Sequence, residues 1–315
     1  MMPQEGPCPD PLFILCKGRS GSTFLVDILI RHPEIGMAPV SDLIRTMLQA
    51  YPELGDPLRS HEGVKTMLHK IFEEPKFETW ELKFEILLEE LVSQLPLCRS
   101  DMARAILLAY HHKNYPGRKI WGLKRGGWLA THIHTLRRHF PQSKYLLLIR
   151  DGRAVFASSK RAIHSDTSLP LEEDSLRSAQ VWKKIVSSFI SQKDQASVLI
   201  VRYEDLVTEP REIIAKILWF LGVTCNDDVM DNLLFSHTPK YIYERDRHLH
   251  ENVGKAPQKD RASAWKKTLS PKEIKTFEKI AAKELVSQGY DLLYPASSLR
   301  SLFFHMTKEF YREVT

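Results

Sequence analysis

The chain has 315 residues, a hydrophobic composition of 43%, a formal net charge of +6 and a pI near 9.0. This length is enough to bury the core of one large α/β domain, which we favour over two small ones. The positive charge fits an anionic ligand. It fits nucleic acid or a membrane surface equally well, but no basic run is long enough to indicate either, and we predict no nucleic-acid partner. The four cysteines contain no C-x-x-C pair, so neither a disulfide framework nor a zinc site is indicated.

The two ends of the chain carry no signal peptide pattern and no membrane span. Residues 1–11 contain acids and prolines without a basic flank and an apolar core, which predicts a flexible lead. No apolar run reaches the length of a membrane span, and together with the scattered cysteines this predicts a soluble, cytoplasmic protein. Residues 296–315 repeat apolar side chains near the helical period, which predicts an amphipathic helix packed on the body. A homodimer contact and peripheral membrane contact are the alternatives for this helix.

The folded chain begins with an apolar strand, a turn with two glycines and two cations, and a helix opened by hydroxyl residues. We predict the strand over Phe13–Cys16 and the helix over about Ser22–Arg31. A helix N-terminus offers unpaired N–H groups and partial positive charge, and glycines let a ligand approach the backbone, so the turn suits a phosphate. The residues expected around that phosphate are Arg19, Ser20, Gly21, Ser22 and Thr23.

This turn lacks the lysine that follows the second glycine in the phosphate loop of nucleoside triphosphatases. The pattern K/R-S-G-[ST]-T followed by a hydrophobic residue instead resembles the 5'-phosphosulfate loop of the sulfotransferases. Those enzymes use 3'-phosphoadenosine 5'-phosphosulfate (PAPS) as sulfuryl donor. The resemblance implies that the residues around the turn bind the 5' end of that donor. An ordinary strand-turn-helix, with serine and glycine chosen for the turn, is the alternative.

The segment after the first helix is predicted to be mostly helical. His32-Pro33 ends the first helix, because proline disfavours helical geometry in the preceding residue. A loop is predicted over Glu34–Val40 and a helix over Ser41–Leu48, with its N-cap at the serine. Residues 60–115 show helical spacing, and we interpret about 45–118 as an insertion that shapes an acceptor pocket. Plain structural packing is the other interpretation.

Three further apolar runs predict strands, at Lys119–Leu123, Lys144–Ile149 and Ser197–Val201. Helical segments separate the four strands. This alternation predicts an α/β fold with a mostly parallel central sheet flanked by helices, and ligands at the carboxyl ends of the strands. Lys124 and Arg150 fall at two of those ends.

A second motif follows the third predicted strand, where Arg150-Asp151-Gly152-Arg153-Ala154 leads into a helix that carries Ser158. The 3'-phosphate site of the sulfotransferases has an arginine and a serine with this spacing. The run R-D-G-R-A resembles the tyrosylprotein sulfotransferases and their bacterial relatives in particular. The resemblance implies that Arg150 and Ser158 bind the 3'-phosphate of the donor. An ion pair of Arg150 with Asp151 at the end of the sheet is the alternative.

Two later stretches extend the resemblance over roughly residues 12–290 and imply the P-loop nucleotide-kinase-like fold of the sulfotransferases. The run R-Y-E-D-L at residues 202–206 implies that Tyr203 lies beside the nucleotide. A basic stretch around Lys255 and the W-x-x-x-L of residues 265–269 resemble the loop that closes over the nucleotide. Lys255 and Lys266 are therefore candidates for the 3'-phosphate, and a solvated charged face is the alternative.

The chemistry implied by the donor is an in-line transfer with charge building on the bridging and leaving oxygens. Protein cations can neutralise that charge without a metal ion, and we predict none. Arg19 and Lys124 are the candidates for this role, with Arg125 as the alternative to the lysine. A general base must take the proton of the acceptor hydroxyl, and Asp42 is our first choice, although an acid in the first turn of a helix also stabilises the helix dipole. The alternatives for the base are Glu34, His111 and His112.

Two functional hypotheses follow from these residues. The first is a sulfotransferase that moves a sulfuryl group from PAPS to a hydroxyl of a glycan, a tyrosine or a small metabolite. The second is a regulator that binds the nucleotide without turnover. The sequence does not identify the acceptor, because the helical insertion carries no recognisable motif.

Overall fold

The computed structural model describes residues 10–164, 167–235 and 263–295. The described residues form two compact units, residues 10–149 with 188–235 and residues 150–187 with 263–295. The single domain expected over residues 12–295 stays a prediction. Residues 1–9 of the predicted lead, Lys255 and the predicted helix 296–315 lie outside the described residues.

The first unit is organised around a parallel sheet of five described strands in the order β2-β3-β1-β4-β5. The strand β1 pairs with β3 on one side and with β4 on the other, and all its residues are buried. This parallel sheet flanked by helices confirms the predicted α/β fold class. The strands are β1 (Leu12–Cys16), β2 (Ile35–Ala38), β3 (Ile120–Arg125), β4 (Tyr145–Ile149) and β5 (Val198–Arg202).

The strand β2 corrects the loop that the sequence predicts over Glu34–Val40. Its four residues, Ile-Gly-Met-Ala, are all buried and pair in parallel with β3 from Ile35↔Ile120 to Ala38↔Leu123. A run this short with an internal glycine has little strand propensity of its own, so the pairing with β3 and burial determine its conformation. As a consequence, the segment after Ala38 starts at the carboxyl edge of the sheet.

The described helices surround this sheet or belong to the second unit. Residues 60–115 are mostly helical, as predicted, and include α3, α4 and α5. The second unit contains α8, most of α9, α13 and α14. In chain order the helices are α1 (Ser22–Leu29), α2 (Leu43–Gln49), α3 (His61–Phe72), α4 (Phe84–Val92), α5 (Arg99–Asn114), α6 (Trp128–Thr131), α7 (Ile133–His139), α8 (Gly152–Arg161), α9 (Ser175–Ile190), α10 (Tyr203–Thr208), α11 (Pro210–Leu221), α12 (Asp227–Phe235), α13 (Trp265–Thr268) and α14 (Pro271–Ser287).

The helix α2 has Asp42 at its N-cap position, one residue after the Ser41 that the sequence predicts for the cap. The Ser41 hydroxyl still accepts a hydrogen bond from the Leu43 amide at 2.9 Å. At the other end of α2, the buried Arg99 guanidinium donates to the carbonyls of Ala50 and Tyr51, both at 2.6 Å. A cation at a helix C-terminus donates hydrogen bonds to the free carbonyls and interacts favourably with the helix dipole, so α2 is held by side-chain contacts at both ends.

The described part of the chain contains no helix with both the length and the apolar character needed to cross a membrane.

Candidate functional site

The loop between β1 and α1 has a strained backbone, and buried hydroxyl side chains lie at its end and in the first turn of α1; residues 17–23 are called the phosphate loop below. Arg19 and Gly21 both have positive φ, at 72° and 89°. A left-handed conformation is uncommon for a residue other than glycine, and such strain concentrates at ligand sites. Ser20, Ser22 and Thr23 are all buried, whereas Arg19 is half-buried. The predicted phosphate loop therefore combines a partly accessible guanidinium with hydroxyls held in place by their surroundings.

Tyr203 packs directly against this loop. A methyl group on Gly21 would lie 2.4 Å from both Cδ2 and Cε2 of the Tyr203 ring, which is far closer than carbon atoms approach in proteins. Tyr203 is buried and begins α10, immediately after β5. The structure thus brings the tyrosine of the R-Y-E-D-L run to the loop and explains why residue 21 is glycine, whereas a place for Tyr203 beside the nucleotide stays a prediction.

Lys124 lies at the carboxyl end of β3 and reaches the same loop. Its ammonium Nζ donates a hydrogen bond to Thr23 Oγ1 at 3.2 Å. The two residues are 101 positions apart in the chain and meet because β3 pairs with β1 in parallel, with Ile14 opposite Lys124. Two candidates identified separately, the loop and the lysine, therefore lie together.

Asp42 lies at the same edge of the sheet, in an ion pair with Arg125. The Arg125 Nη2 is 2.6 Å from Asp42 Oδ1, and its Nε donates to the same oxygen at 3.1 Å. About a third of each side chain is exposed, 30% for Arg125 and 36% for Asp42, so the pair remains accessible to solvent. The acid predicted as general base is therefore held by the cation predicted as the alternative to Lys124.

Glu74 contacts Asp42 and its neighbour Ser41, and no motif in the sequence points to it. Its carboxylate accepts the hydroxyl of Ser41 at 2.6 Å and the amide of Asp42 at 2.9 Å to both oxygens. Burial raises the pKa of Glu74, and the hydrogen bonds from Ser41 and Asp42 only partly oppose that rise. Glu74 follows α3, 32 positions from Asp42, in a stretch with no motif, so no pattern in the sequence points to it.

The other candidates for the base lie in different surroundings. Glu34 precedes β2, at the amino edge of the sheet, and its pKa is lowered by a hydrogen bond and ion pair with Lys119. The buried ring of His111 donates from Nε2 to the Arg118 carbonyl at 2.8 Å, and burial lowers its pKa. His112 is exposed on α5. The structure therefore does not bring Glu34 to the edge of the sheet that carries the loop.

In the second unit, Arg150 lies two residues before α8, and Ser158 lies in the second half of that helix. Arg150 directly follows β4, is 9% exposed, and its carbonyl accepts the indole N–H of Trp182 at 2.9 Å. Asp151 caps α8 by accepting the Arg153 amide at 2.9 Å, and the Arg153 Nη2 lies 2.8 Å from the same carboxylate. Ser158 is half-buried on α8. The capped helix start thus fixes the backbone next to Arg150.

The Arg153 side chain ties the start of α8 to the elements packed around it in the second unit. It is 1% exposed, forms an ion pair with Glu278 and donates to the Asp291 carbonyl at 2.8 Å. Its guanidinium carbon lies 4.0 Å from the centre of the Trp265 ring, a cation–π contact. The exposed Lys266 follows that tryptophan, with its ammonium 5.8 Å from the ring centre. The role of Lys266 at the 3'-phosphate stays a prediction.

Metal ligands are not grouped in the described ranges, where no three or more histidine, cysteine, aspartate or glutamate side chains are placed to hold one ion.

A parallel sheet whose central strand ends in a strained glycine loop, with a lysine from the neighbouring strand on the loop hydroxyl, defines an α/β protein of the P-loop-like class. The chain belongs to the sulfotransferase family, whose model matches residues 11–227.

Relatives of this chain include protein-tyrosine sulfotransferases. The Drosophila melanogaster protein is 27% identical over 246 residues, which make up 73% of this chain and 42% of that protein. Protein-tyrosine sulfotransferase 2 of Gallus gallus is 34% identical over 100 residues, 30% of this chain and 26% of that protein. The chain therefore spans less than half the length of these two relatives.

Solved structures with the same fold are also sulfotransferases. The sulfotransferase domain of the Synechococcus olefin synthase has a TM-score of 0.57 and 23% identity, with 92% of this chain and 98% of that chain covered. A mouse sulfotransferase in complex with 3',5'-adenosine bisphosphate (PAP) has a TM-score of 0.52 and 16% identity, covering 88% of this chain and 84% of that chain. At these identities the likeness shows the sulfotransferase fold.

Proposed function

We propose that the protein is a sulfotransferase that transfers the sulfuryl group of PAPS to a hydroxyl group of an acceptor. The observation that carries this proposal is the contact of Lys124 Nζ with Thr23 Oγ1, because it places a cation on the loop predicted to hold the phosphosulfate. The sulfotransferase family and fold support it, as does the mouse sulfotransferase in complex with PAP.

The proposed roles follow from the chemistry of the transfer. The acceptor oxygen forms a bond to sulfur while the bond from sulfur to the bridging phosphate oxygen breaks, and its electrons stay on the phosphate. Arg19 and the hydroxyls of the loop bind the 5'-phosphosulfate, and Lys124 neutralises the charge that develops on the leaving phosphate. The proton of the acceptor hydroxyl goes to Asp42 as general base. These groups are protein cations and carboxylates, so the scheme requires no metal ion.

The 3'-phosphate of the donor is assigned to Arg150 and Ser158, with Lys255 and Lys266 as further ligands. An arginine presents a planar fork that suits phosphate oxygens, and a serine hydroxyl can add one donor. Tyr203 is assigned to the nucleotide, and its contact with Gly21 supports this role. The relatives suggest a tyrosine hydroxyl as one acceptor to test, beside a glycan and a small metabolite.

The test is a transfer assay with radiolabelled PAPS and three acceptors: a tyrosine peptide, a sugar with free hydroxyls, and p-nitrophenol. Labelled product from any acceptor supports the enzyme. Arg150→Ala should weaken binding of PAP, the desulfonated donor, in calorimetry by about tenfold or more. Unchanged affinity would remove Arg150 from the 3'-phosphate site.

A nucleotide-binding regulator is the second candidate, and the ion pair between Asp42 and Arg125 favours it, because that pair occupies the proposed base. The regulator predicts tight binding of PAP and no labelled product from any acceptor. If the wild type forms product, Asp42→Asn then tests the base. For an enzyme it should lower turnover by about a hundredfold and leave PAP affinity unchanged, whereas full activity would exclude Asp42 as the base.

A further inference from the structure

The segment between β2 and α2, residues 39–42, is held by a single carboxylate from a distant part of the chain. Glu74 accepts the amide of Asp42 with both oxygens and the hydroxyl of Ser41 with Oε2. The Ser41 hydroxyl in turn accepts the Leu43 amide at 2.9 Å. Three consecutive residues are thus connected to one side chain, and Ser41 is only 1% exposed.

Glu74 itself sits on a fixed backbone. Its amide donates to the Ile71 carbonyl at 3.1 Å, and its own carbonyl accepts the Phe77 amide at 2.9 Å. Phe77 and Trp80 are both buried, with ring centres 4.9 Å apart in a stacked arrangement. The backbone that carries the carboxylate is therefore held by its own contacts, and only the Glu74 side chain has to be ordered when it binds its partners.

The held segment ends at a functional side chain. Asp42 carries the Glu74 contact on its amide and the Arg125 ion pair on its carboxylate. Arg125 follows Lys124 on β3, and Lys124 contacts Thr23 of the phosphate loop. Glu74 is therefore connected to the backbone of β3 through Asp42 and Arg125, and the neighbouring residue of that strand contacts the loop predicted to bind the donor.

We propose that Glu74 is a positioning residue of the transfer reaction, which holds the backbone of Asp42 in place at the carboxyl edge of the sheet. This inference rests on the proposed sulfotransferase function. It assigns a role to a side chain outside every motif of the family resemblance. Glu74 acts on Asp42, which follows the strand β2, whereas the donor loop follows the central strand β1. Its loss should therefore affect turnover more than donor binding.

A carboxylate suits this position better than a neutral side chain. Oε2 accepts both the Ser41 hydroxyl and the Asp42 amide, Oε1 shares that amide, and hydrogen bonds to a charged acceptor are stronger than neutral ones. A glutamine at residue 74 retains one acceptor oxygen. Its amide N–H₂ would replace the other oxygen and present a donor to the Asp42 amide, which is itself a donor.

The test compares Glu74→Gln and Glu74→Ala with Glu73→Gln as matched control, since Glu73 is exposed and paired with Lys70 at the surface. With labelled PAPS and whichever of the three acceptors the wild type uses, we expect kcat to fall about tenfold for Glu74→Gln and more for Glu74→Ala. KM for PAPS and the calorimetric affinity for PAP should stay within about twofold of the wild type. Glu73→Gln should match the wild type throughout.

Ser41→Ala provides a second route if Glu74→Ala fails to fold, because it removes one hydroxyl and leaves the carboxylate in place. It should lower kcat about threefold with unchanged PAP affinity. An active wild type whose Glu74→Gln variant keeps its kcat, or loses PAP affinity to the same extent as kcat, overturns this inference alone. A wild type that transfers sulfuryl to no acceptor overturns the proposed function, and the inference with it.

Discussion

The contact between Gly21 and Tyr203 makes a quantitative prediction for the substitution Gly21→Ala. The positive φ of 89° at this residue is unfavourable for a side chain and costs about 1–2 kcal/mol. The added methyl would lie 2.4 Å from two Tyr203 ring carbons, and overpacking of a buried group typically costs about 1–3 kcal/mol. The free energy of unfolding should therefore fall by about 2–5 kcal/mol. The displaced loop should also bind PAP at least tenfold more weakly.

The measurement is urea unfolding together with PAP calorimetry, and Gly18→Ala serves as matched control. Gly18 belongs to the same loop, is exposed, and has no atom within 4 Å of the position its methyl would take. This control should change the free energy of unfolding by less than about 0.5 kcal/mol. Equal effects at the two glycines would contradict the argument from Tyr203.

A double-mutant cycle isolates the steric part of the effect. In a Tyr203→Ala background the methyl on Gly21 meets no ring, so Gly21→Ala should cost only the backbone contribution. The cycle should then give a coupling free energy of about 1–3 kcal/mol between the two positions. Additive effects would refute the reasoning, because they would mean that the methyl and the ring do not compete for space.

Three further predictions concern the two units separately. Arg153→Met should lower the free energy of unfolding by about 3–5 kcal/mol, because it removes a buried cation that pairs with two buried carboxylates. The exposed Arg177→Ala should change it by less than about 0.5 kcal/mol, and similar losses in urea unfolding would contradict this. Lys124→Met should lower kcat about a hundredfold in the labelled-PAPS assay, and unchanged kcat would exclude the lysine from charge stabilisation. Because the Glu74 pKa is raised above its ordinary value of 4.5, its stabilising contribution is present below that pH and lost as pH rises through the folded-state pKa. In urea unfolding, the wild type should lose stability relative to Glu74→Gln as the pH rises above 4.5. A gain in relative stability over the same pH range would refute the raised pKa of Glu74.

The strands that the sequence predicted correctly are those whose own residues determine their structure. The strands β1 and β4 are continuous apolar runs, and both are found within a residue of the predicted ends. The strand β2 was missed because its four residues depend on β3 for their conformation. Local patterns therefore located β1, β3, β4 and the edge strand β5, whereas the short edge strand β2 required tertiary pairing.

The same distinction applies to the candidate site. The proximity of Lys124 to the loop after β1 was predictable, because a strand end places a residue at the ligand edge of a parallel sheet wherever it occurs in the chain. Glu74 was not predictable, since its contact with Asp42 spans 32 positions and arises from how α2 and α3 pack. The ion pair of Asp42 with Arg125 was equally hidden, although both residues had been singled out separately.

The two consecutive cations that end β3 set a limit on how this protein can tolerate insertions and deletions. Neighbouring side chains of a strand point to opposite faces, and here Lys124 contacts Thr23 while Arg125 contacts Asp42. A single residue gained or lost within the strand would exchange the two faces, so that the arginine met the hydroxyl and the lysine met the acid. Chain length should therefore be far more constrained across residues 120–125 than in surface turns, and libraries that vary indels across the chain should recover almost none there.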